Sequence, residues 1–154
     1  MPDLPFSPTI PAAAMLLALL LVSADVRAEL GGTMSTGPGA AGAAPQTLLN
    51  GALRVRTQVD AGNTTINEYA TSAGEIIAYT WQGPTMPDMD ALLGKYGASY
   101  RAGAAASPAT GNLHALRVVR PDVIVESGGP MRGYAGRAWL PANVPSGVTS
   151  ADFR

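Results

Sequence analysis

The chain has 154 residues, a formal net charge of −1 and no cysteine. This length predicts a single domain with an ordinary hydrophobic core, and the near-neutral charge argues against a nucleic-acid-binding protein. The lack of cysteine excludes disulfides, thiol catalysis, thiolate-ligated zinc and lipid attachment through cysteine within this sequence.

An apolar run near the N terminus predicts a secretory signal peptide. Residues 12–22 (AAAMLLALLLV) are too few for a membrane-spanning helix, which needs about 20 residues. Ala28 ends a cleavage site of small and modest residues, and Ala24 is the alternative position. We therefore expect residues 1–28 to be a signal peptide, the protein to be periplasmic or secreted, and membrane contact to occur only before cleavage. The alternative is a buried helix of a cytosolic domain.

The signal-peptide interpretation divides the chain into three parts. Residues 1–11 contain no Lys or Arg, which is unusual for a signal peptide. Residues 29–47 are rich in Gly and Ala and uncharged after Glu29, which predicts a flexible linker. Residues 48–154 are expected to form one folded domain. From residue 29 onward the chain carries nine basic and nine acidic residues, so this domain is formally neutral.

Alternating apolar and polar residues predict a three-stranded meander at the start of this domain. The strands are expected over residues 53–59, 64–71 and 75–81, with short turns between them. The predicted register places Val55, Tyr69 and Ile77 in one row, and it places Val59, Thr65 and Trp81 in another. On the opposite face, Arg56 is expected to lie across from Glu68 as a weak pair.

A helix and further strands are predicted after the meander. Thr85 is the expected helix cap, and apolar residues at helical spacing continue from Met89 to Tyr100. Residues 102–112 are expected to be flexible, followed by strands at 113–119, 123–127 and 131–140, with a bulge or close backbone contact at Gly133 or Gly136. The fold class predicted is α+β, an antiparallel sheet with the helix packed on one face.

Several sequence blocks resemble a known family. Residues 81–84 (WQGP), 127–132 (SGGPMR) and 136–141 (GRAWLP) occur in this order. Together they resemble an uncharacterised family of exported bacterial proteins, domain of unknown function DUF2844. A His often fills the position of Pro130 in that family, and this sequence departs there. The resemblance implies export, and it carries over no activity, cofactor or catalytic residue.

The weak candidates for ligand binding fall into two groups. Ser127, Gly128 and Gly129 are able to form an anion-binding nest, with Arg132 and Arg137 as clamps if a bulge brings both to one face. The alternative is a tight turn with surface arginines. The other group is aromatic and either lines a groove or belongs to the core; it consists of Trp81, Tyr79, Tyr134 and Trp139.

No catalytic residue, metal site or cofactor is predicted. His114 is the only histidine and is more simply a surface residue than a general base. Asp88 and Asp90 are best explained as residues that complement a helix dipole. The expected function is a non-enzymatic binding or envelope-associated module with an unknown ligand. The alternatives are a small hydrolase or isomerase using His114, Arg132 and Ser127, or an assembly protein that pairs through a sheet edge.

Overall fold

The structure is a computed structural model that describes residues 28–37, 42–107 and 115–154. The apolar core of the predicted signal peptide and the candidate His114 lie outside these residues. The described residues form a seven-stranded antiparallel sheet in the order β1-β2-β3-β4-β7-β6-β5. The strands are β1 (Gln46–Leu48), β2 (Leu53–Val59), β3 (Thr65–Thr71), β4 (Ile76–Gly83), β5 (Ala115–Val119), β6 (Ile124–Gly128) and β7 (Tyr134–Trp139).

The predicted meander is present as strands β2, β3 and β4. Its first register is confirmed, since Val55 lies opposite Tyr69 and Arg56 opposite Glu68. The second register is wrong by one residue, because Tyr69 pairs with Ala78 and Thr65 with Gln82. A bulge between Tyr69 and Ala70 in this pairing accounts for the shift, since a bulge sets two residues against one.

The helical region consists of α1 (Met89–Leu93), a 3-10 turn (Gly94–Tyr96) and α2 (Gly97–Ala106). The predicted cap at Thr85 is wrong, because Asp88 Oδ1 accepts a hydrogen bond from Ala91 N at 3.0 Å. The Thr85 hydroxyl instead donates to the Gly62 carbonyl oxygen at 3.1 Å. The helix continues to Ala106, so the flexible stretch predicted from residue 102 is also wrong at its start.

The last strand lies between β4 and β6 and is shorter than predicted. Residues 131–133 belong to the turn before β7, and Arg132 has a left-handed φ of 65° there. The pairings of β7 with β4 and β6 run without a register shift, so the predicted bulge is absent from this strand. The predicted close backbone contact is confirmed at Gly136, where an added Cβ would lie 2.3 Å from Trp81 Cζ2.

Both faces of the sheet are covered, which extends the predicted one-sided α+β architecture. The helices and residues 28–34 cover one face, here called the helix face, whose core includes Tyr79 and Leu93. Residues 144–154 cover the other face, here called the tail face, whose core includes Trp139 and Phe153. The fold class predicted from the sequence, α+β, is therefore confirmed, with a C-terminal tail as an additional layer.

The predicted flexible linker is wrong for the residues that the structure describes next to Ala28. The Leu30 side chain is fully buried, and Leu30 N donates to the Leu92 carbonyl oxygen at 2.8 Å. Gly31 N and Met34 N donate to carbonyl oxygens of Ile76 and Gly74, each at 2.8 Å. Strand β1 also begins inside the predicted linker, at Gln46. Main-chain hydrogen bonds and one buried leucine therefore fix a segment whose composition suggested flexibility.

Candidate functional site

A row of polar side chains crosses the tail face of the sheet. The register of five strand pairs places one polar residue of each of six adjacent strands in this row, because opposite residues share a face. We call it the polar row, and it consists of Thr57, Asn67, Thr80, Arg137, Glu126 and Arg117.

Hydrogen bonds connect the neutral half of the polar row. Thr57 Oγ1 donates to Asn67 Oδ1 at 2.7 Å, and Asn67 Nδ2 donates to Thr80 Oγ1 at 3.2 Å. Asn67 Nδ2 also donates to the main-chain oxygen of Arg154 at 3.1 Å, which fastens the tail to the sheet. The amide of Asn67 is thus oriented from both sides, and this preorganises the surface beside the tail.

The charged half of the polar row is a triad in which two arginines share one carboxylate. Arg137 Nε donates to Glu126 Oε2 at 2.7 Å, and Arg117 Nε donates to Glu126 Oε1 at 2.8 Å. Burial acts to raise the pKa of Glu126, but the hydrogen bonds and charges of Arg137 and Arg117 outweigh it and hold the pKa below its usual value. The triad therefore carries one excess positive charge.

The Arg137 guanidinium is fixed by the tail and by an aromatic ring. Its Nη1 donates to the Ser150 carbonyl oxygen at 2.7 Å, and its carbon lies 5.2 Å from the centre of the Trp139 ring. Nε and Nη2 of Arg137 both contact Glu126 Oε2. Together with the bond to Ser150, these contacts use three of the five N–H groups of the arginine. The Arg137 side chain remains 32% exposed, so it is only partly closed off from solvent.

An open groove of about 550 Å³ lies beside the polar row. A second row of mostly small residues, Thr65, Gln82, Ala135 and Gly128, lines it, and Phe153 and Arg154 of the tail line it as well. The Phe153 ring packs edge-on against the Tyr69 ring, with 5.3 Å between the ring centres, and this contact holds the tail in place. We call this depression the tail-side groove; its lining offers hydroxyl, amide and charged groups around a shallow floor.

The structure brings some of the predicted candidate residues together and separates others. Ser127, Gly128, Arg137 and Trp81 all contribute to the lining of the tail-side groove. Gly129 and Arg132 lie in the turn that follows β6, with φ angles of 119° and 65°. Arg132 is exposed in that turn and precedes β7, so the predicted clamp of Arg132 and Arg137 on one strand face is not formed.

The aromatic candidates do not line a common groove. Trp81 and Tyr79 belong to the core on the helix face, whereas Trp139 belongs to the core on the tail face. Trp81 and Trp139 are 2% and 6% exposed, which fits the core interpretation. Tyr134 is partly buried and lies opposite Gly83 at the start of β7.

Sequence reasoning missed most of the polar row and of the groove lining. Asn67, Thr80 and Glu126 are separate polar residues in the sequence. Asn67 and Thr80 face each other across β3 and β4, and Glu126 joins their row only because β7 inserts between β4 and β6. One available signal was alternation, since Asn67 and Thr80 occupy strand positions whose side chains point away from the helix face. Alternation predicts on which face of the sheet a side chain lies, but it does not predict the order of the strands.

A second polar cluster is buried on the helix face. Arg56 Nη2 donates to Glu68 Oε1 at 2.8 Å, and the two side chains are 4% and 0% exposed. Burial raises the pKa of Glu68 despite the opposing effects of Arg56 and Tyr79, and burial beside this carboxyl also raises the pKa of Tyr79. We call this group the buried cluster. It is closed to solvent, so the tail-side groove is the candidate ligand site.

Within residues 28–37, 42–107 and 115–154, no three or more His, Asp or Glu side chains are grouped to hold a metal ion. Among the helices formed by those residues, none has the length and apolar character needed to cross a membrane.

The family model described as a protein of unknown function (DUF2844) matches residues 26–153. The chain belongs to this family. No curated protein and no solved structure matches it significantly. The DUF2844 match confirms the resemblance seen in the sequence blocks around Trp81, Ser127 and Trp139, and it spans every strand of the sheet.

Proposed function

We propose that this DUF2844 protein is exported and acts as a non-enzymatic binding module, with the tail-side groove as its ligand site. The single observation that carries the proposal is the groove itself, an open volume of about 550 Å³ beside a preorganised polar row. Ligand sites combine a concave surface with a few fixed polar groups, and the groove has both. The expected ligand is an envelope component that carries hydroxyl groups and one anionic group.

The charge of the Arg117–Glu126–Arg137 triad supports an anionic ligand. Two guanidinium groups share one carboxylate, and the Arg117 side chain is 65% exposed. Arginine binds carboxylate and phosphate groups through paired N–H donors. The hydroxyl groups of Thr65 and Thr80 and the amide of Gln82 lie along the same groove and suit a polyhydroxylated ligand.

The state of Glu126 favours binding over acid–base catalysis. A general base works best when its pKa is near the working pH, whereas two arginines hold the pKa of Glu126 below its usual value. Both carboxylate oxygens already accept hydrogen bonds from arginine. Glu126 is thus suited to orient Arg117 and Arg137 and is a weak base.

The ligand site is tested by filling the groove. Ala135 is exposed on the groove floor, so Ala135→Tyr occupies the groove and leaves the polar row intact. Chemical-shift titrations with glucuronate, glycerol 3-phosphate and uncharged glucose compare this variant with the wild type. We expect the charged probes to bind the wild type and to lose at least about tenfold in affinity, roughly 1.4 kcal/mol, in Ala135→Tyr.

The matched control is Ala105→Tyr, which adds the same side chain on the exposed surface of α2. It is expected to bind the probes as the wild type does. Equal affinity of all three proteins, or no shift with any probe, would count against the groove as the ligand site.

Export is tested separately by fractionating cells and sequencing the N terminus of the recovered protein. The start of the family match at residue 26 supports a boundary close to the predicted cleavage sites. A shortened chain in the periplasm or medium agrees with export. An intact chain in the cytosol rules it out, whatever the groove binds.

A further inference from the structure

Two oxygen atoms at the buried cluster lie within reach of the same hydroxyl group, that of Tyr79. The Tyr79 hydroxyl lies 2.7 Å from the Ala28 carbonyl oxygen and 3.2 Å from Glu68 Oε2. A tyrosine hydroxyl has a single proton and donates to one of these oxygens at a time. As long as Ala28 is present, its carbonyl competes with Glu68 for this proton at the shorter distance.

Ala28 is also the residue at the predicted cleavage position. Hydrolysis of the Ala28–Glu29 peptide bond consumes one water, releases the leader with the Ala28 carboxylate, and leaves an amine on Glu29. The residue after Glu29 is firmly held, since Leu30 is fully buried and bonded to Leu92. The new N terminus, at Glu29, therefore lies one residue before Leu30, whose position is fixed.

The amine of Glu29 lies close to the buried cluster. A peptide nitrogen is about 2.3 Å from the carbonyl oxygen of the preceding residue. With the 2.7 Å contact of Ala28 to Tyr79, this places Glu29 N within roughly 5 Å of the Tyr79 hydroxyl. At neutral pH an α-amino group is largely an ammonium, with three donors and no acceptor.

We propose that the buried cluster of Arg56, Glu68 and Tyr79 is the binding site for the chain's own amino terminus after cleavage at Ala28. The inference rests on the proposed function, because it requires export and cleavage. The Glu29 ammonium donates a hydrogen bond to the Tyr79 hydroxyl oxygen. The Tyr79 hydroxyl no longer faces the Ala28 carbonyl oxygen and donates its own hydrogen bond to Glu68. Glu68 then has two positive charges nearby, Arg56 and the ammonium, where the uncleaved chain provides one.

One acidic and one basic side chain lie beside the N-terminal segment outside the cluster. The Glu29 carboxylate lies against Gly94, and Lys95 and Tyr96 lie against Gly31. These groups offer one negative and one positive charge outside the cluster. The buried carboxylate of Glu68 is therefore the group with most to gain from an added cation, since burial disfavours its charged form.

The position of cleavage decides whether the site is used. Cleavage after Ala24 would leave residues 25–28 in the mature protein and keep the Ala28 carbonyl on Tyr79. Cleavage after Ala28 replaces this neutral acceptor with a cation. A mature protein that begins at Glu29 is therefore required by the proposal.

Competitive acylation of the exported protein tests the proposal. The full chain is expressed in cells, the mature protein is recovered, and its amines are labelled with acetic anhydride between pH 6 and 9. Lys95 is the only lysine of the sequence and is exposed, so it serves as an internal reference amine. We expect the native Glu29 amine to react about tenfold more slowly at pH 7 than in urea, because one pKa unit corresponds to tenfold.

Two variants and one control assign the effect to the buried cluster. Glu68→Gln and Tyr79→Phe are expected to restore the labelling rate of the Glu29 amine to the rate found in urea. Tyr100→Phe removes the hydroxyl of another tyrosine packed on the helix-face core and is expected to leave the rate unchanged. If Tyr79→Phe does not fold, Glu68→Gln and the comparison with urea carry the test.

The outcomes separate the inference from the proposal of export. A chain that begins at Glu29 and labels equally fast folded and in urea overturns the inference and leaves export intact. A chain that begins at Asp25, which results from cleavage after Ala24, also overturns the inference and leaves export intact. An unprocessed chain in the cytosol overturns both.

Discussion

At the residue scale, the ion pair between Arg56 and Glu68 joins two strands inside the core. Both side chains are almost completely shielded from water. A second bond from Arg56 Nη1 to the Ser35 carbonyl oxygen, at 2.5 Å, ties the N-terminal segment to the same guanidinium. The sequence predicted the pairing and treated it as a weak cross-strand pair. Its burial depends on residues 28–35, which cover it.

Replacing Arg56 by Ala is expected to lower the free energy of unfolding by about 3–5 kcal/mol, because it leaves a buried carboxylate without a partner. Urea denaturation measures the loss. The matched control is Arg117→Ala, which removes an arginine paired with Glu126 but 65% exposed. Exposed pairs contribute about 0–1 kcal/mol. Losses of similar size in the two variants would mean that the Arg56–Glu68 pair is accessible to solvent.

Gly136 is a second position where one residue decides local packing. A Cβ added at Gly136 would lie 2.3 Å from Trp81 Cζ2 and 2.6 Å from the Glu126 carbonyl oxygen. Gly136→Ala is expected to destabilise the protein by about 1–3 kcal/mol through overpacking. Thermal denaturation checks this, with Gly37→Ala as the control, since an added Cβ there meets nothing within 4 Å. An unchanged melting temperature for Gly136→Ala would contradict the close contact.

At the scale of elements, residues 28–34 behave as part of the core. Leu30 packs with the helix-face cluster, and its main chain is bonded to α1 through Leu92. Leu30→Ala is expected to cost about 2–5 kcal/mol, as for other fully buried leucines. Met131 is 83% exposed in the turn before β7, so Met131→Ala serves as the control and is expected to have little effect. Urea denaturation of both variants decides whether the segment is structural or a linker.

The strands differ in how well their positions and registers are predicted from the sequence. Alternation located β2, β3 and most of β4, and turn residues set the β2–β3 register, because these signals are local. The register of β4 failed at the bulge near Tyr69, which leaves no comparable signal in the residue pattern. The Gly-rich N-terminal segment was misread because its composition outweighed two apolar residues, Leu30 and Met34, that both lie in the core.

The candidate site was less predictable than the elements, for a physical reason. Ser127, Gly128 and Arg137, which the sequence offered as candidates for ligand binding, line the groove. Asn67 and Thr80 were not, because they face each other in a β3–β4 register that the bulge shifts by one residue. Glu126 was not, because its place in the row depends on the insertion of β7 between β4 and β6. Long-range strand order is set by packing of the whole sheet and has no local signature.

At the scale of the whole molecule, the two faces of the sheet differ in what they bury and what they leave open. The helix face buries a charged cluster beneath the N-terminal segment, and the tail face leaves a groove beside the C-terminal residues. The tail is fastened through Arg137 to Ser150 and through Tyr69 to the main chain of Arg154. The same polar row therefore holds the tail and forms one side of the groove.

Acid is expected to loosen this arrangement at Glu126, which links β5 and β7 across β6 through Arg117 and Arg137. Its pKa is lowered below the usual 4.5 in the folded protein. Ionised Glu126 therefore contributes stability that is fully present above pH 4.5 and is lost as the pH falls through the lowered folded value. The unfolding free energy of the wild type should exceed that of Glu126→Gln at pH 6 to 7, and the difference should shrink below pH 4.5.

Urea denaturation of both proteins at several pH values between 3 and 7 measures this difference directly. Asp122→Asn, in the exposed turn between β5 and β6, shows how much of any pH dependence follows from removing an acidic group near the same strands. A difference between wild type and Glu126→Gln that stays constant down to pH 3 would mean that the two arginines do not favour the ionised carboxylate. In that case the charge argument for an anionic ligand in the tail-side groove would fail with it, since both depend on the same three side chains.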